Sequence, residues 1–141
     1  MALIPCPNDR ILIVDDEEAL RKTLKQMLVP EFPGMLIDMA TNGMEAIKRF
    51  HSGHHAVILI DLFMPVMTGE QAYRGIDQIC AKEKWEMPGF VFYTAHNPSR
   101  ELRNLVAQNP RHCILQKPVK NEILVEAIRS RLAPPEDVPA P

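Results

Sequence analysis

An α/β fold is the class this sequence predicts: five βα units wound into an open, doubly wound, parallel five-stranded sheet. Three observations carry that reading. Apolar runs of strand length alternate with segments of helical period along the whole chain. The runs are continuous rather than alternating, as they must be in strands covered on both faces. There are five of these units, too few to close an eight-stranded barrel, so right-handed crossovers leave an open sheet with its site beyond the carboxyl ends of the strands.

The first strand is "ILIV" (11–14), which stops abruptly at Asp15, Asp16, Glu17 and Glu18. Leu20, Leu24, Met27 and Leu28 follow at i, i+4, i+7 and i+8, the stripe of a helix. "PEFPG" (30–34) ends that helix, and "MLIDMA" (35–40) is a shorter strand whose polar interruption suits an edge. "TNG" (41–43) is a turn or cap before a helix that carries Ala46, Ile47 and Phe50. "AVILID" (56–61) is the most apolar strand, and it too ends on an acid. Thr68 and Gln71 have the spacing of a capping box, and Ile76, Ile79 and Cys80 form the inner stripe of the third helix. "GFVFYTA" (89–95) is the fourth strand, and Asn97-Pro98 reads as N-cap and N1 of a helix carrying Leu102, Leu105 and Val106. "HCIL" (112–115) is the fifth strand, and Ile123, Leu124, Ala127, Ile128 and Leu132 complete the fifth helix. The expected organisation is an N-terminal tail over 1–7, one domain over 8–132 and a Pro-rich tail or linker over 133–141.

Composition narrows the function. The chain is 46% hydrophobic and 24% charged, a globular balance. A net charge of -2 provides no basic field for nucleic acid, and no apolar run reaches the roughly 18 residues of a membrane span. Cys6, Cys80 and Cys113 are odd in number and widely spaced, which fits reduced thiols in the cytoplasm better than a disulfide or zinc site.

The strand ends carry the chemistry. Asp15 and Asp16 end the first strand, Asp61 the third and Thr94-Ala95 the fourth, while the fifth runs into Lys117-Pro118. The predicted topology gathers three carboxylates, a hydroxyl and an ammonium at one edge. Clustered carboxylates repel one another unless a cation sits among them, and a hard divalent ion such as Mg²⁺ suits oxygen ligands and phosphate. An Asp carboxylate can act as nucleophile and become an aspartyl phosphate, with metal and lysine neutralising the transferred group.

With "ILIVDDE", "LIDLFMPVMTG", "FYTA" and "LQKPV" in order, the chain resembles the receiver domains of two-component response regulators over roughly Asn8 to Leu132. The resemblance implies a flavodoxin-like, CheY-like (βα)₅ fold with strand order 2-1-3-4-5. It implies that Asp61 is the phosphoacceptor, that Asp16 binds Mg²⁺ directly and Asp15 mainly through water, and that the backbone carbonyl of Phe63 is a third protein ligand. Lys117 would contact the phosphoryl group, Thr94 would be the switch hydroxyl, and the backbone N–H of Ala95 would help hold the phosphate. It also implies a cis Lys117-Pro118 bond, with Met64-Pro65 and Gly69 shaping the loop after the acceptor. The implied partners are a sensor histidine kinase or phosphotransfer protein and a downstream output domain or protein, with a homodimer through the fourth helix, fifth strand and fifth helix as a further option. Neither nucleic acid nor membrane is an expected direct partner.

Two departures matter. Ile114 stands where receivers usually carry Tyr or Phe three residues before the lysine, so the usual aromatic swing is unavailable. Phe63 and His96 occupy the positions two residues after Asp61 and Thr94, and a bulky Phe63 would impede water and slow phosphate loss. A second reading is a receiver-like interaction module that works without phosphorylation, which Ile114 favours and the complete acidic triad opposes. A third, a phosphohydrolase of the aspartyl-phosphate type, requires an acid/base Asp where Phe63 stands. "HSGHH" (51–55) reads as a solvated turn rather than a metal site, and Tyr73, Trp85 and the methionines read as packing.

Overall fold

In the computed structural model, which describes residues 2–132, strands and helices alternate from end to end. The elements are β1 (Arg10–Val14), α1 (Glu18–Leu28), a 3-10 turn (Val29–Glu31), β2 (Leu36–Ala40), α2 (Gly43–Gly53), β3 (Val57–Asp61), α3 (Gly69–Glu83), β4 (Gly89–Thr94), α4 (Arg100–Gln108), β5 (Cys113–Gln116) and α5 (Asn121–Arg131). All neighbouring strands pair in parallel, in the order β2-β1-β3-β4-β5. The Pro-rich segment expected over 133–141 lies outside the described residues.

Strand burial follows from that order. β3 and β4 are buried along their whole lengths and β1 almost so, whereas β2 and β5, at the edges, are only partly covered. One face of the sheet, with Leu12, Ile58, Ile60, Phe90 and Phe92, packs against Phe50 of α2, Tyr73 and Ile76 of α3 and Leu102 of α4. The other, with Ile11, Ile13, Leu59 and Val91, packs against Leu24 and Leu28 of α1 and Leu124 and Ile128 of α5. Each side chain buried in these layers contributes about 1.5–3 kcal/mol of transfer free energy. The chain therefore winds around both faces, and every strand points its carboxyl end at the same edge.

Helix starts follow local chemistry. Asn42 caps α2 by accepting the Glu45 N–H, and Thr68 and Gln71 form the expected reciprocal capping box of α3. The fourth helix differs from expectation: Ser99, not Asn97, is the N-cap, because its hydroxyl accepts the Leu102 N–H and Pro98 stays outside the helix. The histidine run differs as well. α2 continues to Gly53, His54 closes it in the left-handed conformation, and His55 is buried with Nε2 2.7 Å from Asp38 on β2. His54 stacks on Trp85 with centroids 4.0 Å apart, so His54 and His55 pack while His51 and Ser52 stay exposed. At the N-terminus, Ile4 donates to the Lys84 carbonyl and accepts from the Glu86 N–H, laying the first residues along the α3–β4 connection.

Candidate phosphoryl and cation site

The acids meet where β1 and β3 end. The Asp15 N–H donates to the Ala40 carbonyl, which extends β1–β2 pairing by one residue and fixes where this carboxylate departs. Asp61 is the last residue of β3, held in register opposite Tyr93 of β4. One carboxylate oxygen from each of Asp15, Asp16 and Asp61 lies within 4.8 Å of the others. Asp15 and Asp61 are buried, whereas Asp16 is open to solvent.

Lys117 follows β5 directly. Its N–H donates to the Thr94 carbonyl at 2.8 Å, and the bond to Pro118 is cis. Its Nζ lies 3.3 Å from Asp61 Oδ2 and 3.9 Å from Asp15 Oδ2. Three carboxylates against one ammonium leave an excess of negative charge in a partly desolvated site. Burial pushes the Asp61 carboxyl above the usual carboxylate range, and the Asp15 charge adds to this; the Phe63 N–H, 3.2 Å from Asp61 Oδ1, and Lys117 oppose it. Such a site accepts a hard cation with oxygen ligands, and the donor set fits Mg²⁺.

The surrounding loops close around Asp61. A Cβ on Gly69 would lie 2.6 Å from the Asp61 carbonyl oxygen, so only glycine allows the start of α3 to pass this close. The Phe63 and His96 rings meet edge to face, with centroids 4.9 Å apart. The Thr94 hydroxyl is turned into its own turn, donating to the His96 carbonyl at 3.1 Å and accepting the His96 N–H at 3.0 Å. Ala95 lines a cavity of about 530 Å³ with Lys117, Pro118 and residues of α1 and α5. Ile114 lies opposite Phe92 and packs, partly buried, against the face that carries α2, α3 and α4. The site therefore gathers Asp15, Asp16, Asp61 and Lys117, with the Phe63 amide on Asp61, while Thr94 is occupied locally.

Two contacts lay beyond sequence reasoning. Tyr93 donates its phenol proton to Asp15, and Arg21 donates to the Asp15 carbonyl at 2.7 Å. Once the β3–β4 register is known, Tyr93 beside Asp61 is a readable signal; nothing in the sequence marks Arg21.

The loop after Asp61 also carries strain. Val66 adopts φ 71 and is 85% exposed, so a β-branched side chain holds a left-handed conformation without packing in return. Val66→Asn is expected to raise stability by about 1 kcal/mol, read from the urea midpoint. An unchanged midpoint would show that the left-handed conformation at 66 carries no strain.

The sequence profile of the response regulator receiver domain matches residues 11–129. The positive alginate biosynthesis regulatory protein of Pseudomonas aeruginosa is 33% identical over 126 residues, 88% of this chain and 47% of that protein. The peroxide stress-activated histidine kinase mak3 of Schizosaccharomyces pombe is 30% identical over 127 residues, 87% of this chain and 5% of that kinase. The chain thus spans less than half the length of these relatives. Among solved structures, a CheY-like response regulator receiver domain protein from Methanospirillum hungatei matches with TM-score 0.69 and 27% identity, over 89% of this chain and 95% of that one. The chemotaxis protein CheY4 of Vibrio cholerae matches with TM-score 0.70 at 22% identity, over 88% of this chain and 98% of that one, a likeness of fold.

Proposed function

Because the chain belongs to the response regulator receiver domain family, we propose that it is a phosphorylation switch in which Asp61 takes a phosphoryl group from a phosphohistidine. The observation that carries this is the meeting of Asp15, Asp16, Asp61 and Lys117 at one edge of the sheet. An Asp61 carboxylate oxygen attacks phosphorus, an O–P bond forms, and the N–P bond of the donor breaks, its electron pair returning to the imidazole. Lys117, already 3.3 Å from Asp61, neutralises charge on the arriving group. Asp16, Asp61 and the Phe63 carbonyl would hold Mg²⁺ directly, with Asp15 acting mainly through water. When bound, the ion offsets the carboxylate charge and that of the phosphoryl oxygens.

The phosphorylated state draws Thr94 away from His96 toward a phosphoryl oxygen, at the loss of two local hydrogen bonds. The Ala95 N–H serves as a second donor. Only differential binding of this kind shifts the two-state balance. With Ile114 in place of an aromatic ring, the readout passes through α4, β5 and α5 without an aromatic swing. This surface would meet a downstream output domain or protein, or a second copy of the chain. The donor is a sensor histidine kinase or a phosphotransfer protein. The domain itself, over 8–132, turns over only its own phosphoryl group. No described helix is long and apolar enough to cross a membrane; the three free thiols suit the cytoplasm.

Intact mass after incubation with acetyl phosphate tests the reading. One added phosphoryl group is expected with Mg²⁺ and none in EDTA. No adduct under saturating Mg²⁺ would remove the proposed function. Followed after removal of acetyl phosphate, the same samples are expected to lose the group slowly, since the Phe63–His96 pair restricts water at Asp61.

A further inference from the structure

Tyr93 takes no part in the chemistry above, yet it touches both charged arms of the site. Its ring packs with the apolar face that carries α1 and α5, and only 4% of the residue is exposed. A phenylalanine would fill that space equally well. The hydroxyl adds one donor, placed 2.5 Å from Asp15 Oδ2. Asp15 is itself buried and needs donors for both oxygens: Glu17 N–H satisfies Oδ1 at 2.8 Å, and Tyr93 satisfies Oδ2. The face of the same ring lies under Lys117 Nζ, 4.6 Å from its centroid. The ammonium is thus held between Asp61 and Asp15 instead of falling wholly onto either carboxylate.

The geometry points to Tyr93 as a positioning residue that orients the cation-side carboxylate with its hydroxyl and the phosphoryl-side ammonium with its ring face. The inference rests on the roles proposed above for Asp15, Asp61 and Lys117. With both oxygens engaged, Asp15 cannot rotate toward the ion, so it holds one bearing and reaches the ion through water.

Tyr93→Phe and Tyr93→Leu in the full chain separate the two roles. Three readouts are needed: calorimetric titration with Mg²⁺ alone, the rate of phosphoryl uptake from acetyl phosphate at saturating Mg²⁺, and thermal melting in EDTA to confirm folding. Tyr93→Phe is expected to raise the Mg²⁺ Kd about tenfold, as loss of a partner behind a metal ligand does, and to leave the saturated uptake rate within about twofold, since Lys117 keeps its ring. Tyr93→Leu is expected to show the same loss of affinity and an uptake rate reduced about fivefold at saturating Mg²⁺. An unchanged or lower Kd in Tyr93→Phe overturns the hydroxyl's role, and equal saturated rates in the two variants overturn the ring's. Should the leucine variant not fold, Tyr93→Met takes its place. A wild-type chain that binds no Mg²⁺ is a different failure, one of the site itself.

Discussion

Asp61→Asn is expected to take up no phosphoryl group at all and to melt at a higher temperature than the wild-type chain in EDTA. The first result follows from the reaction: the amide oxygen is no nucleophile, and Asp15 and Asp16 sit at the end of a different strand. The second follows from electrostatics. Asp61 is buried beside Asp15, and both influences raise its pKa, so ionised Asp61 opposes folding at neutral pH. A folded-state pKa above the unfolded value contributes stability only at low pH, and that contribution is gone near pH 7. An uncharged isostere removes the penalty. Each pKa unit corresponds to about 1.4 kcal/mol, and about 1 kcal/mol moves the melting temperature of a chain this size by roughly 2–4 °C. Lys117 loses one partner but keeps Asp15 at 3.9 Å. Added Mg²⁺ should narrow or reverse the difference, because the ion stabilises only the chain that binds it. Intact mass and paired melts with and without Mg²⁺ decide both. Uptake by the asparagine variant would place the acceptor elsewhere, and a lower melting temperature in EDTA would mean that the Lys117 ion pair outweighs carboxylate repulsion.

Much of this architecture was legible because its signals are local and redundant. β3 is apolar at every position before Asp61 and buried throughout, and β2 reads as an edge and is one. The capping box at Thr68 is a spacing of three residues, which a sequence displays directly. The acidic site was legible for another reason: parallel strands alternating with helices must bring all their carboxyl ends to one edge, so Asp15, Asp61 and Lys117 converge once the topology is granted. What escaped depends on register and on burial of polar groups. Asn97-Pro98 and Ser99 both offer a start for α4, and only the direction of the Leu102 N–H chooses between them. His55 lies in a polar run that reads as a turn, yet it enters the protein because Asp38 on the neighbouring strand supplies a partner. Tyr93 looks like one more aromatic strand residue until the pairing with Asp61 places its hydroxyl among the carboxylates.

His112 is expected to make the fold acid-sensitive well above the pH at which carboxylates titrate. Its Nδ1 accepts the Phe90 N–H at 3.2 Å, so that nitrogen must be unprotonated in the native state. The ring is buried between Tyr73 and Phe90, and Arg111 and Arg131 lie nearby. Burial first, against an opposing backbone hydrogen bond at Arg111 and with the charges of Arg111 and Arg131 adding to it, pushes its pKa down to about 4. The unfolded chain takes the proton near pH 6.5. The native pKa is therefore the depressed one, and stability is full above about 6.5 and lost as pH falls toward 4, at about 1.4 kcal/mol per pH unit and roughly 3 kcal/mol in all. His55 and His54, both lowered by burial, act in the same direction. Asp61 acts in the opposite one, because its raised pKa restores stability on acidification. His112→Asn keeps an acceptor in the place of Nδ1 and removes the titration. Urea midpoints between pH 6.5 and 4.5 are expected to fall less steeply in this variant, by about 1.4 kcal/mol per unit, even though it starts less stable at pH 7.5. Equal slopes in the two chains would mean that His112 gains its proton without leaving its place, and that the Phe90 N–H tolerates a protonated ring across from it.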